Sequence, residues 1–193
     1  MKYYFFLLSL VFICCNNEKA KSYTSQHQSA LAYCKEHQMN EDYYFLVDLS
    51  LHSGKNRFFV YDFKKGKVMD KNLVTHGACD VFETNVKKYA KAKFDARQDS
   101  HCSMKGKFKI GKRDYSSWGI NVKYWLHGLE PHNKTAVDRV VVLHSWTKVA
   151  NVETYPVYAP LSWGCPAVSD AFMRKLDTRL QASTKPVLLW IVE

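Results

Sequence analysis

Hydrophobic and polar positions alternate along this chain in a way that predicts strands for most of its length and helices near either end. Residues 29–38, "SALAYCKEHQ", have helical composition and no breaker, which predicts a short opening helix. The pattern then changes: "YYFLVDLSL" (43–51) and "RFFVYDF" (57–63) are rich in aromatic and branched residues and flank the turn signal "HSGKN". With "KKGK" turning into "VMDKNLVTHG", they predict an antiparallel meander of three strands. Residues 80–97 are lysine-rich and weakly patterned, which predicts a loop with one helical turn.

Further along, "GKFKIGKRD" (106–114) alternates Phe108 and Ile110 with lysines, as a half-exposed strand does, and "INVKYWLHGL" follows as another. "DRVVVLHSW" (138–146) is nearly continuous in valine and leucine and predicts a central strand buried on both faces, its apolar run stopping at His144. In "VSDAFMRKLDTRLQ" the apolar residues Phe172, Met173, Leu176 and Leu180 recur at helical spacing. Ser169 is placed to cap that helix, Asp170 to complement its dipole, and Val168 to pack on Met173 as a hydrophobic staple. "PVLLWIV" predicts a closing strand. The sum is one mainly β domain with one or two peripheral helices and no internal repeat.

A chain of 193 residues with 47% hydrophobic residues can bury one good core and is short for two domains. Its first residues, "MKYYFFLLSLVFICCNN", combine one lysine, an apolar run too short to span a bilayer and a polar exit, the pattern of an export signal. Where such signals end in small residues this one has Cys14-Cys15, which resembles the lipobox of bacterial lipoproteins; a plain cleaved signal or an uncleaved anchor are the alternatives. The expected organisation is therefore a leader over 1–15 with lipid on Cys15 or Cys14, a polar tether over 16–28 and a folded domain over 29–193. Such a protein would sit in the cell envelope, held at a membrane.

The net charge of +10 changes meaning in that setting. Lysines cluster at 87, 88, 91 and 93 and again, with Arg113, at 105, 107, 109 and 112. A cytosolic protein of this balance would suggest nucleic acid, whereas an exported chain meets none. Anionic envelope polymers fit instead, and a solvated lysine face remains the plain alternative.

Six cysteines are present: Cys14, Cys15, Cys34, Cys79, Cys102 and Cys165. A disulfide such as Cys79 with Cys102 is possible outside the cytoplasm, although sequence does not fix connectivity. His76 and Cys79, followed by His101 and Cys102, lack the paired short spacings of a structural zinc site, so no metal is expected.

Cys165 lies in "SWGCPAV" (162–168), just ahead of a helix start, which favours a thiolate through the helix dipole. A catalytic cysteine needs a base, and His144 at the end of a buried strand would present one at a sheet edge. Gly164 allows a tight turn whose amides, with those of Trp163 and Cys165, can form an oxyanion hole. An inert buried cysteine and a structural histidine are the competing readings.

"HSW" at 144–146 with "SWGCPAV" resembles the signature of the bacterial L,D-transpeptidases, the YkuD-type family, in its Ser-Trp-Gly-Cys-Pro branch. "YYFLVDLSL", "RFFVYDFKKGKV", "VTHG", "HGLEPHNKTAVDRVVVLH" and "CPAVSDAFMRKLD" are similar to that branch's successive blocks, so the likeness runs from about residue 30 to 193. The resemblance implies a β-sandwich-like sheet domain that takes an acyl group from a peptidoglycan stem peptide, with no cofactor. It implies Cys165 as nucleophile, His144 as general base and Ser145 as the residue that orients the imidazole through its backbone carbonyl. Ser162, Trp163 and Gly164 would shape the loop and oxyanion hole, and His76 and Gly77 match a further block without an assigned role. This chain departs from the branch in having Ser145 after the histidine, where glycine is usual. The acceptor is open: an amine would make the protein a transpeptidase, and water an L,D-carboxypeptidase or endopeptidase. A wall-binding lipoprotein without catalysis is the rival from another class.

Overall fold

The computed structural model describes residues 21–79, 89 and 91–193. The leader, the lipidation candidates Cys14 and Cys15, and most of the loop expected over 80–97 lie outside the described residues. The elements are α1 (Thr24–Glu36), β1 (Tyr43–Asp48), β2 (Phe58–Asp62), β3 (Lys67–Asn72), β4 (Gly106–Tyr115), β5 (Val122–Gly128), a 3₁₀ turn (Lys134–Ala136), β6 (Val142–Ser145), β7 (Ala167–Val168), α2 (Asp170–Gln181) and β8 (Leu188–Val192). Among the described residues this is the mainly β domain, with α1 and α2 at its periphery, that the residue pattern predicts.

One mixed sheet of eight strands has the order β3-β2-β1-β8-β4-β5-β6-β7. β1 and β8 run parallel, as do β6 and β7, and the other neighbours are antiparallel. The sheet curls until its ends meet. The chain leaving β3 passes along β7, where the Thr75 amide donates to the Ala167 carbonyl at 2.9 Å and Gly77 bridges to Ser162. That closure brings residues 75–78 onto the loop that carries Cys165.

Closure makes one enclosed face. Phe45 and Val47 of β1, Phe58 and Val60 of β2, Phe108 of β4, Leu126 of β5 and Leu143 of β6 share a core with Phe172, Met173 and Leu176 of α2. Each of those helical side chains is buried, which stabilises by about 1.5–3 kcal/mol apiece. The Ser169 hydroxyl accepts from the Phe172 amide at 3.2 Å, the N-cap expected from the sequence, and Val168 and Met173 lie in the same cluster.

The opposite face is covered by α1 through Ala30 and Cys34, packed on Tyr44 and Leu46. This helix starts five residues before the expected start of the folded domain, so residues 24–28 belong to the fold and not to the tether. The reason is aromatic: His27 stacks on Tyr61 at 3.5 Å and Tyr23 lies against Phe59 at 5.7 Å, contacts that outweigh the polar composition of this stretch.

The valine-rich run over 138–146 also differs from its expected form. Only residues 142–145 are strand, next to the sheet edge, and Val140 is exposed with φ +55°. The 3₁₀ turn occupies the preceding residues, because Asn133 must bond back to the Lys105 and Lys107 carbonyls at 3.2 and 3.0 Å.

Candidate active site

β6 and β7 bring the two expected catalytic side chains together. His144 pairs with Ala167 in parallel register, and Cys165 stands two residues before Ala167. Both side chains line one cavity of about 390 Å³ with Trp118, Trp146, Leu161, Ser162, Trp163 and Ala167. The Cys165 Sγ reaches back along β6, where the Val142 amide donates to it and it donates to the Val140 carbonyl, each at 3.5 Å. Burial pushes the thiol up from its ordinary range, while the Val142 amide and the charges of Arg139 and Lys123 pull it back.

The imidazole has a defined tautomer. His144 Nδ1 lies 3.0 Å from the Ser145 carbonyl, which can only accept, so Nδ1 carries the proton and Nε2 is left as the basic atom. Burial lowers the pKa of this histidine, only partly offset by that hydrogen bond, so it is neutral at neutral pH. Ser145 also acts through its side chain. Its hydroxyl accepts from the Ile120 amide at 3.0 Å and so ties down the β4–β5 loop that carries Trp118. A side chain on Gly119, which has φ +57°, would collide with the Ser145 hydroxyl.

The loop that carries Cys165 is fixed from several sides. Ser162 Oγ donates to the Cys165 carbonyl at 2.7 Å and accepts from the Gly164 amide at 3.3 Å, so that amide is already engaged within the loop. The Ser162 amide donates to the His76 carbonyl at 2.9 Å, and the Ala78 amide to the Ser162 carbonyl at 2.8 Å. Gly164 takes φ +102°, and a Cβ there would sit 2.6 Å from the Cys102 carbonyl. Trp163 projects outward, 70% exposed, with its ring 4.9 Å from His101.

His76 and Gly77 are buried behind the site and do not line its cavity. His76 Nδ1 accepts from Arg57 Nη2 at 2.8 Å, and the wholly buried Arg57 also donates to the Val74 and Leu51 carbonyls. Desolvation lowers the Arg57 guanidinium to about 9. The loop over 148–161 forms one wall of the cavity through Leu161.

Cys79 and Cys102 form a disulfide, which removes both thiols from the His76/Cys79 and His101/Cys102 spacing that raised the question of zinc. The bond ties the segment after β3 to the segment before β4, both adjacent to the loop that carries Cys165. Three residues that the sequence pattern does not single out hold the site: Thr75, Arg57 and Arg139. Their immediate neighbours give no sign of this, because the contacts that matter, from Thr75 to Ala167, from Arg57 to His76 and from Arg139 to Cys102, join separate segments of the chain.

The family signature described as the L,D-transpeptidase catalytic domain, YkuD_2, matches residues 16–189. The chain belongs to this family. No curated protein sequence matches it. Among solved structures it is similar to the helical cell shape determining protein Pgp2 of Campylobacter jejuni in a mutant form, with 13% identity and a TM-score of 0.47 over 86% of this chain and 54% of that one. A mutant Enterococcus faecium L,D-transpeptidase gives 13% identity and a TM-score of 0.46 over 78% and 50% of the two chains. Bdellovibrio bacteriovorus Bd1075 gives 13% and 0.47 over 80% and 49%. The chain thus spans about half the length of these relatives. No helix among the described residues is long and apolar enough to cross a membrane.

Proposed function

We propose that this protein is an exported, membrane-held L,D-transpeptidase of the cell envelope, in which Cys165 takes the acyl group of a peptidoglycan stem tetrapeptide and passes it to an amine. The observation that carries this reading is the cavity shared by Cys165 and His144, with Nε2 of His144 as its basic atom. Family membership supplies the reaction class.

The steps follow from the residues. His144 Nε2 takes the thiol proton, and Sγ attacks the carbonyl of the bond to the terminal residue of the stem. The C–N bond then breaks, the leaving amine takes the proton back from His144, and a thioester remains on Cys165. An acceptor amine attacks the thioester, giving its proton to His144, and the thiolate leaves. The amides of Trp163 and Cys165 are the donors for the oxyanion, since that of Gly164 is held by Ser162. Trp118, Trp146, Leu161 and Trp163 give the cavity largely apolar walls around the thioester.

The test is incubation of the protein with defined tetrapeptide muropeptides, followed by mass analysis. The expected result is an adduct on Cys165 and cross-linked products. Trimmed products alone would assign a carboxypeptidase, and unchanged products with Cys165→Ala would leave a wall-binding role. Lipidation at Cys15 or Cys14 is read from the intact mass of membrane-extracted protein.

A further inference from the structure

Arg139 lies in the turn between the 3₁₀ helix and β6, and its guanidinium is half-buried. Nη1 donates to the Asp95 carbonyl at 2.8 Å, and Nη2 donates to Ser100 Oγ and the Cys102 carbonyl, both at 3.0 Å. All three acceptors are uncharged. Asp95 and Asp99 act on this cation only at longer range, and among the described residues no carboxylate forms an ion pair with it. A positive charge held by neutral groups keeps its field for whatever lies beside it.

What lies beside it is the nucleophile loop. Arg139 Nη2 is 3.7 Å from the position a Cβ on Gly164 would occupy. On the other side, Cys165 Sγ is 3.5 Å from the carbonyl of Val140, the residue that follows Arg139 in the chain. The Cys102 carbonyl that Nη2 grips belongs to the disulfide with Cys79, so a covalent bond fixes one of its anchors.

We propose that Arg139 is a positioning residue for the reaction: held in place by the disulfide-tied segment, its charge eases loss of the Cys165 thiol proton, without touching substrate. This rests on the reading of Cys165 as nucleophile. Among the described residues, the charges acting on Cys165 are those of Arg139 from this turn and Lys123 from β5, and the titratable His144 of β6 lines the same cavity. Lys123 acts more weakly than Arg139 and lies over the Trp125 ring at 4.9 Å, while His144 starts neutral. Arg139 is thus the strongest fixed charge offsetting the burial of the thiol. The loop amides and His144 are the parts legible from the sequence signature, and Arg139 supplies what they lack.

The test is the pH dependence of iodoacetamide alkylation of the full chain, followed at the peptide that contains Cys165 so that the other cysteines do not contribute. Arg139→Gln is expected to raise the midpoint by about one pH unit, which lowers the rate near neutrality about tenfold. Arg139→Lys is expected to restore most of it, and Ser100→Ala, which removes one anchor and keeps the charge, to leave the midpoint in place. If Arg139→Gln does not fold, Arg139→His replaces it, since it keeps a donor and is uncharged above neutrality, and the same upward shift is expected. An unchanged midpoint without the charge, or Arg139→Lys no better than Arg139→Gln, would overturn the proposal. Alkylation needs no stem peptide, so this outcome bears on Arg139 whether or not the proposed reaction is right.

Discussion

The Thr75 hydroxyl donates to the Cys165 carbonyl at 3.1 Å and accepts from the Ala167 amide at 3.0 Å, joining two segments 90 residues apart in sequence. One hydroxyl therefore stands behind the candidate nucleophile and sets the path of its loop. Thr75→Val keeps the shape and leaves the buried Ala167 amide without that acceptor. The expected result is a loss of about 1–3 kcal/mol in stability, with Thr75→Ser close to wild type. Thermal unfolding of the three proteins checks it.

As the proposed base, His144 is expected to set an acid limit on activity. Its folded pKa lies below the ordinary value of about 6.5 because burial disfavours the imidazolium. The acid limb of kcat/KM on a muropeptide should fall below that value, and His144→Gln should lose activity at least a hundredfold. The same shift has a stability consequence: the unfolded chain binds the proton more readily, so this contribution is present above the unfolded value and is lost as pH falls below it. A pH series of both rate and thermal midpoint tests the two statements together.

Ser145 separates two roles within one residue. Ser145→Ala keeps the carbonyl that orients His144 and removes the hydroxyl that accepts from the Ile120 amide. The Trp118 loop should loosen while the imidazole stays in place. Steady-state kinetics should show KM raised several-fold with kcat changed much less.

The buried Arg57 makes four hydrogen bonds, to Val74 twice, Leu51 and His76. Arg57→Ala strips the partners on His76 and on the two carbonyls, so a loss of about 3 kcal/mol or more is expected, or roughly 6–12 °C in thermal midpoint. Differential scanning calorimetry measures this directly.

Opening the Cys79–Cys102 bond, whose cysteines are 23 positions apart, should cost about 3 kcal/mol through the freedom regained by the unfolded chain. The paired Cys79→Ser, Cys102→Ser variant is expected to lose this stability.

Three of the five cations of the second basic cluster are paired. Lys105 meets Glu193 at 2.7 Å, Lys107 meets Glu130 at 3.1 Å and Arg113 meets Asp177 at 2.8 Å. The second lysine cluster is therefore less a free field than its composition implies, and charge reversal at Lys105 or Lys107 would break ion pairs as well as change net charge.

The sequence by itself determined what depends on near neighbours. Runs of aromatic and branched residues in 43–63 marked β1 and β2, the Ser169 cap and the spacing of Phe172, Met173 and Leu176 marked α2, and "SWGCPAV" with His144 marked the residues proposed for the chemistry. Tertiary structure decided what depends on closure of the sheet. That Thr75 backs Cys165, that Cys79 meets Cys102 and that Arg139 faces the Cys165 loop all depend on how distant segments meet when the sheet curls. The valine-rich run before His144 shows the limit plainly: its composition suited a central strand, yet the pull of Asn133 on β4 made half of it a turn. Periodicity records which face a side chain presents, whereas the partner that meets that face is chosen by contacts between distant segments, and those leave no pattern along the chain.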